Sequence, residues 1–246
     1  MDYLLLLPFA GFVTGFIDSI AGGGGLISLP IISEILGAGA LAIGTNKILG
    51  SSGALVSFFV YWRGRKLHWK NSLLFLVAVT MGALIGAQVT PYLPKLFFKW
   101  AIILCCPFLL AVLLKKDSLV QISSEHRFIN PYLLLVIGLL VGFYDGFFGP
   151  GGGVFMLLAL IWQVKLPLME ALVLSKLANF LTASSSLISY AIQGYVDWKL
   201  GCLMAIGMII GSFVGAKLNN KHSVKIMRPV LILVICSLMV RLIFYT

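Results

Sequence analysis

Four consecutive glycines, Gly22, Gly23, Gly24 and Gly25, interrupt an apolar stretch that reads GFIDSIAGGGGLISLP over residues 15–30. A second stretch of the same design, GFYDGFFGPGGGVFML over 142–157, follows 127 residues later. Each carries one acid, Asp18 or Asp145, shortly before its glycines. A glycine in a helix interior costs about 1 kcal/mol relative to alanine, so a cluster of them ends a helix. The apolar flanks set both breaks inside hydrocarbon, where backbone that leaves a helix must be buried in protein or line a cavity. Matching breaks in two halves of a membrane chain are the pattern of a binding site built between repeats.

Composition supports the membrane setting. The 246 residues are 60% hydrophobic and 11% charged, too few charges to cover a soluble surface of this size. Apolar runs of about 20 residues, the length that crosses roughly 30 Å of hydrocarbon, recur along the chain. The expected fold class is therefore an all-α polytopic membrane protein. The net charge of +10 then describes loop topology and lipid contact, and no nucleic-acid partner is expected. Cys105, Cys106, Cys202 and Cys236 lie in apolar runs without CxxC spacing, and His68, His126 and His222 lie in connecting loops. Neither a metal nor another cofactor is implied.

The spans repeat. Residues 3–21 read as a helix broken at 22–25, followed by a short piece at 26–36 and spans at 45–62, 71–90 and 97–114. A polar linker at 115–130, expected on the cytoplasmic side, separates a first repeat (1–114) from a second (131–246). The second repeat has a broken helix at 131–148, a short piece at 154–163, and spans at 173–192, 199–216 and 229–245. At an offset of 129, Lys47 meets Lys176, Ser57 meets Ser186, Tyr61 meets Tyr190 and Trp69 meets Trp198, while Gly82 and Gly86 meet Gly211 and Gly215. Such matches indicate duplication.

Loop charges favour inverted halves. If each broken helix returns to its own side, loops 63–70, 115–127, 163–168 and 217–228 fall together with 12 lysines and arginines, leaving 4 on the other face. Positive loops stay cytoplasmic, so both termini are expected outside. Pairs of glycines four apart (Gly11/Gly15, Gly82/Gly86, Gly138/Gly142, Gly211/Gly215) predict close helix packing and carry no information about a ligand.

The chemistry gathers at the breaks. A helix N-terminus has free N–H groups and a partial positive charge, and glycines let an anion approach its backbone. Candidate binding residues are Gly22, Gly23, Gly24, Gly25, Thr45, Asn46 and Lys47 in the first half. Their second-half partners are Gly151, Gly152, Gly153, Ser175, Lys176 and Asn179. A lysine inside a membrane needs a partner or an aqueous cavity, which here means a bound anion or the acids. Asp18 and Asp145 either cap the helices after the breaks or carry protons. Thr182 and Ser184–Ser186 either add hydroxyl donors or satisfy nearby backbone.

These residues imply a small anionic substrate and alternating access. No GK[ST] follows the glycines, so no nucleotide-driven step is expected. Neither GxSxG nor HExxH occurs, which disfavours an intramembrane enzyme. A passive anion channel, or a transporter of another small anion or cation, are the alternatives.

GFIDSIAGGGGLISLP, GTNK, and the second-half GPGGG followed by SK resemble the sulfite exporter TauE/SafE family over essentially the whole chain. The resemblance implies a bacterial-type inner-membrane transporter of sulfur-containing anions such as sulfite, thiosulfate or organosulfonates, with proton coupling as a further expectation. It places the family motifs on Asp18, Gly22–Gly25 and Thr45–Lys47, and on Asp145, Gly149–Gly153 and Ser175–Lys176. The second copy departs from the first, with Leu174-Ser175-Lys176 where the first has Thr45-Asn46-Lys47. The two copies therefore offer different donors, and neither substrate nor direction follows.

Overall fold

The computed structural model describes residues 3–63, 65, 69–94, 97–98 and 131–219. All regular structure among the described residues is helical. In the first half, α1 (Tyr3–Ala21), α2 (Gly25–Leu36), α3 (Ala40–Trp62) and α4 (Trp69–Val89) follow one another, and a 3-10 turn at Thr90–Tyr92 continues α4. The second half runs through α5 (Pro131–Phe147), α6 (Gly152–Trp162) and α7 (Leu168–Ile192), then α8 (Trp198–Asn219). The expected spans at 97–114 and 229–245 and the linker at 115–130 lie outside the described residues, apart from Phe97 and Phe98.

Local chemistry sets the ends. Pro131 occupies the first turn of α5, where its missing N–H leaves no helical bond unmade. Pro91 turns the end of α4 into a 3-10 turn. Gly37 and Gly39 hold φ of +82° and +138° between α2 and α3, values that L side chains rarely adopt. That turn starts α3 at Ala40, five residues before the expected 45. Lys47 thus lies two turns inside the helix, beyond the reach of an unfavourable dipole at its start.

Stretches Ser72–Tyr92, Leu168–Ile192 and Trp198–Asn219 are each long and apolar enough to cross a membrane. Phe9, Leu73, Leu140, Ile188 and Ile206 expose more than half of their surface. Inside, by contrast, Asp18, Lys47, Asp145 and Lys176 are buried. Greasy outside and charged within is the arrangement a bilayer demands of a protein with a polar site. The chain is a multi-pass membrane protein.

The halves interlock. Helices α3 and α7, the equivalent spans of the two repeats, pack together, and α4 packs on α5. The glycine pairs make the outer contacts possible. Gly82 and Gly86 rest on the backbone of Leu139 and Phe143, while Gly142 and Gly146 rest on Val79 and Ala83. Equivalent contacts join α1 to α8, with Gly11 against Met204 and Gly211 against Phe12. The first helix of each repeat therefore lies on the fourth helix of the other.

Two tyrosines tie the broken helices to this frame. The Tyr61 hydroxyl donates to the Ser19 carbonyl (2.8 Å) and accepts from Asn219 Nδ2 (2.9 Å). Tyr190 donates to the Gly146 carbonyl (2.9 Å) and lies 2.8 Å from the Thr90 hydroxyl. Both rings are fully buried, and each supporting side chain, Asn219 or Thr90, comes from the opposite repeat. Leaving a buried acceptor unpaired costs about 1–3 kcal/mol. Tyr190→Phe is expected to lower the stability of the detergent-purified protein by that amount, read by thermal unfolding.

Candidate functional site

The two breaks meet at the centre. Gly22, Gly149 and Gly151 hold φ of +78°, +98° and +78°, so the chain can turn there only because these residues lack a Cβ. The breaks also touch, since a Cβ on Gly22 would lie 3.0 Å from the carbonyl carbon of Gly153, and one on Gly25 would lie 3.3 Å from Pro150 Cα. The N-termini of α2 and α6 thereby converge from opposite halves. At α2 the Leu26, Ile27 and Ser28 amides bond back to Gly23 or Gly24, and at α6 those of Gly152, Val154 and Phe155 bond to Gly149 or Gly151. The amides of Gly25 and Gly153 have no acceptor among the described residues.

Asp18 does two things. Its Oδ1 accepts the Gly24 N–H at 3.0 Å, closing one end of the first break, and its Oδ2 lies 3.1 Å from Lys176 Nζ. Asp145 Oδ2 lies 3.1 Å from Lys47 Nζ, and Asp145 Oδ1 fills the space that a Cβ on Gly152 would need. Each lysine also donates to the main-chain carbonyl of the aspartate it pairs with. That carbonyl belongs to the last turn of α1 or α5, where a cation is favoured by the helix dipole. The pairs are crossed: each lysine reaches the acid of the other half.

A narrow cavity opens between the breaks. Asp18, Gly22, Gly25, Asn46, Lys47, Asp145, Gly151, Gly153 and Asn179 line it, as do Ser28, Leu49, Gly50, Gly149, Ala183 and Met208. Asn46 and Asn179 are both 93% buried, with 7% exposure. The Asn46 carbonyl oxygen accepts from Ser28 Oγ at 2.5 Å. The Asn179 side chain has no hydrogen-bond partner among the described residues.

Other expected site residues lie behind this lining. Gly23, Gly24, Gly152, Thr45, Ser175 and Lys176 do not border the cavity. Thr45 Oγ1 donates to the Leu41 carbonyl (2.7 Å) and accepts from the Asp197 amide (2.9 Å), fastening α3 to the entry of α8. Ser175 donates back to the Leu172 carbonyl. Thr182, Ser185 and Ser186 likewise donate to backbone carbonyls of Asn179, Thr182 and Ala83.

Ser28, Gly50 and Ala183 were not singled out from sequence. Their signal is helical spacing: Ser28 falls three residues after Gly25, Gly50 four after Asn46 and Ala183 four after Asn179. One turn along a helix keeps the same face.

The arrangement combines one lysine at the cavity wall, two helix N-termini and two amide side chains between two packed repeats. Comparison with known proteins agrees with a membrane role. The profile of the family "Sulfite exporter TauE/SafE" matches residues 7–242. A probable membrane transporter protein of Haemophilus influenzae is 34% identical over 237 residues, covering 95% of this chain and 91% of that protein. The probable membrane transporter protein YfcA of Escherichia coli K12 is 29% identical over 241 residues, 97% of this chain and 89% of its own. One from Bacillus subtilis, YunE, is 28% identical over 274 residues, 99% of this chain and 100% of its own. No solved structure matches. With its duplicated broken helices and a family match over nearly its full length, the chain belongs to the sulfite exporter TauE/SafE family of membrane transporters.

Proposed function

We propose that this protein is a secondary transporter that moves small sulfur-containing anions, such as sulfite, thiosulfate or organosulfonates, across the cell inner membrane by alternating access. One observation carries the reading: the N-termini of α2 and α6 converge on a cavity that also holds Lys47, Asn46 and Asn179. Helix N-termini favour anions through their free N–H groups and dipole. A lysine and amide NH2 groups add donors of the kind a sulfur oxyanion accepts from. The family description supports sulfur anions as the class.

Lys47 meets the anion only by loosening its hold on Asp145. A proton on Asp145 would remove that competitor, and Asp18, which also lines the cavity, is the second candidate coupling group in this reading. The lysine and arginine bias of the loops supports inverted halves with both termini outside, and rocking one half against the other then exposes the cavity to either face.

The test is thermal stabilisation of the purified protein by sulfite, thiosulfate, sulfate, sulfoacetate and chloride. A ligand at 100 times its Kd adds about 2.7 kcal/mol to apparent stability. A sulfur anion is expected to raise the unfolding temperature selectively, and Asn179→Ala to weaken its binding on the order of tenfold, the loss of one hydrogen bond to a charged group. Equal shifts with chloride and every sulfur anion, or no shift with any, would sink the reading.

A further inference from the structure

We propose that Ser28 is a positioning residue that fixes the side-chain amide of Asn46 so that its NH2, not its carbonyl, faces the anion. The inference rests on the anion reading above and goes beyond it by assigning a role to a residue outside the glycine and GTNK motifs.

An asparagine in an anion site has two opposite faces. Its NH2 donates to a negative oxygen, whereas its carbonyl repels one. Some neighbour must therefore decide which way it turns. Ser28 Oγ lies 2.5 Å from Asn46 Oδ1 and 3.2 Å from the Gly24 carbonyl. A hydroxyl has a single proton, and the shorter contact takes it. With Oδ1 held in this way, Asn46 Nδ2 points over the start of α2, 3.6 Å from where a Cβ on Gly25 would stand. The Gly25 amide at the same place has no acceptor among the described residues. Two donors thus stand side by side at the first break.

The second half builds the same pair from different positions. Asn179 Nδ2 lies 3.4 Å from where a Cβ on Gly153 would stand, beside another amide without an acceptor among the described residues. Yet the repeat offset of 129 carries Asn46 to Ser175 and Asn179 back to Gly50. The likeness is therefore one of geometry and not of inherited alignment. Ser28 has no counterpart, because offsets of 127, 128 and 129 lead to Phe155, Met156 and Leu157. Asn46 is held by Ser28, whereas no serine hydroxyl holds the Asn179 amide among the described residues.

The experiment measures apparent Kd for sulfite and thiosulfate from the concentration dependence of thermal stabilisation of the full-length protein, with chloride as the control. Wild type is compared with Ser28→Ala, Ser28→Cys, Asn46→Ala and the double variant Ser28→Ala/Asn46→Ala. Ser28→Ala is expected to raise Kd on the order of tenfold, the loss of one oriented charge-assisted hydrogen bond. Ser28→Cys, a weaker donor of similar size, should fall between wild type and Ser28→Ala. In the Asn46→Ala background, removing Ser28 should change Kd less than twofold. A purely structural serine would lower the unliganded unfolding temperature in both backgrounds and leave Kd unmoved. That result, or an equal loss of affinity with and without Asn46, overturns the role of Ser28 while the anion reading stands. A wild type that responds to no sulfur anion overturns the anion reading, and the role of Ser28 falls with it.

Discussion

Asp145→Ala is expected to destabilise the protein by about 3–5 kcal/mol, the usual cost of stranding one member of a buried ion pair. Lys47 and Asp145 expose only 5% and 3% of their side chains, so losing the partner leaves the lysine charge with little contact with solvent. Replacing both, with Lys47→Met and the near-isosteric Asp145→Leu, removes the stranded charge. The double variant should be more stable than either single one, because two apolar side chains in that space carry no desolvation penalty. It should nevertheless transport nothing, since the positive charge on the cavity wall is gone. Thermal unfolding in detergent and anion flux in proteoliposomes read the two effects separately. A double variant that folds and still carries anion at the wild-type rate would remove Lys47 from the site. One that is less stable than both single variants would mean that packing, not charge, holds this contact.

Gly142→Leu is expected to abolish folding. A Cβ at this position would stand 2.0 Å from the Val79 carbonyl oxygen and 2.6 Å from Val79 Cα. Backbone cannot step aside as a flexible side chain can, so α4 and α5 would have to separate. Overpacking in a core typically costs 1–3 kcal/mol, and here a whole helix pair would shift, along with the Gly146 carbonyl that Tyr190 holds. Gly142→Ala should fold with a clear loss of stability. Leu140→Ala, on the same helix but 63% exposed, should stay within about 0.5 kcal/mol of wild type, as surface substitutions do. Size-exclusion profiles of solubilised membranes distinguish the three. A monodisperse Gly142→Leu protein would show that these helices are not locked as closely as the contact implies.

What the sequence made legible follows from how rare each signal is in an apolar chain. Four adjacent glycines cannot continue a lipid-facing helix, and so the break after Ala21 and the start of α6 beside Gly152 were readable to within a residue or two. Lys47, Lys176, Asp18 and Asp145 stood out because a charge inside hydrocarbon needs a reason. The start of α3 was less legible. GTNK looks like a polar helix entrance, whereas the positive-φ glycines 37 and 39 had already released the helix at Ala40.

Pairing was harder still. The repeat offset relates Lys47 to Lys176 but says nothing about which acid each will meet. That choice depends on α3 and α7 packing face to face, a tertiary fact. For the same reason Thr45 and Ser175 looked like ligand donors. Only the folded chain brings Asp197 to Thr45 and leaves Ser175 bonded to its own helix.

The crossed bridges also bear on how such a chain is made. During synthesis Asp18 and Lys47 enter the membrane before either acquires its counter-charge, because those partners, Lys176 and Asp145, are more than 90 residues further along. Until the second repeat arrives, these charges are left to water, lipid headgroups or one another, and the native bridges close only once both halves are in place. Two identical copies of one repeat, each offering its lysine to the acid of the other, would close both bridges by symmetry. A self-complementary dimer of half-length chains already contains this solution, and joining the copies end to end preserves it.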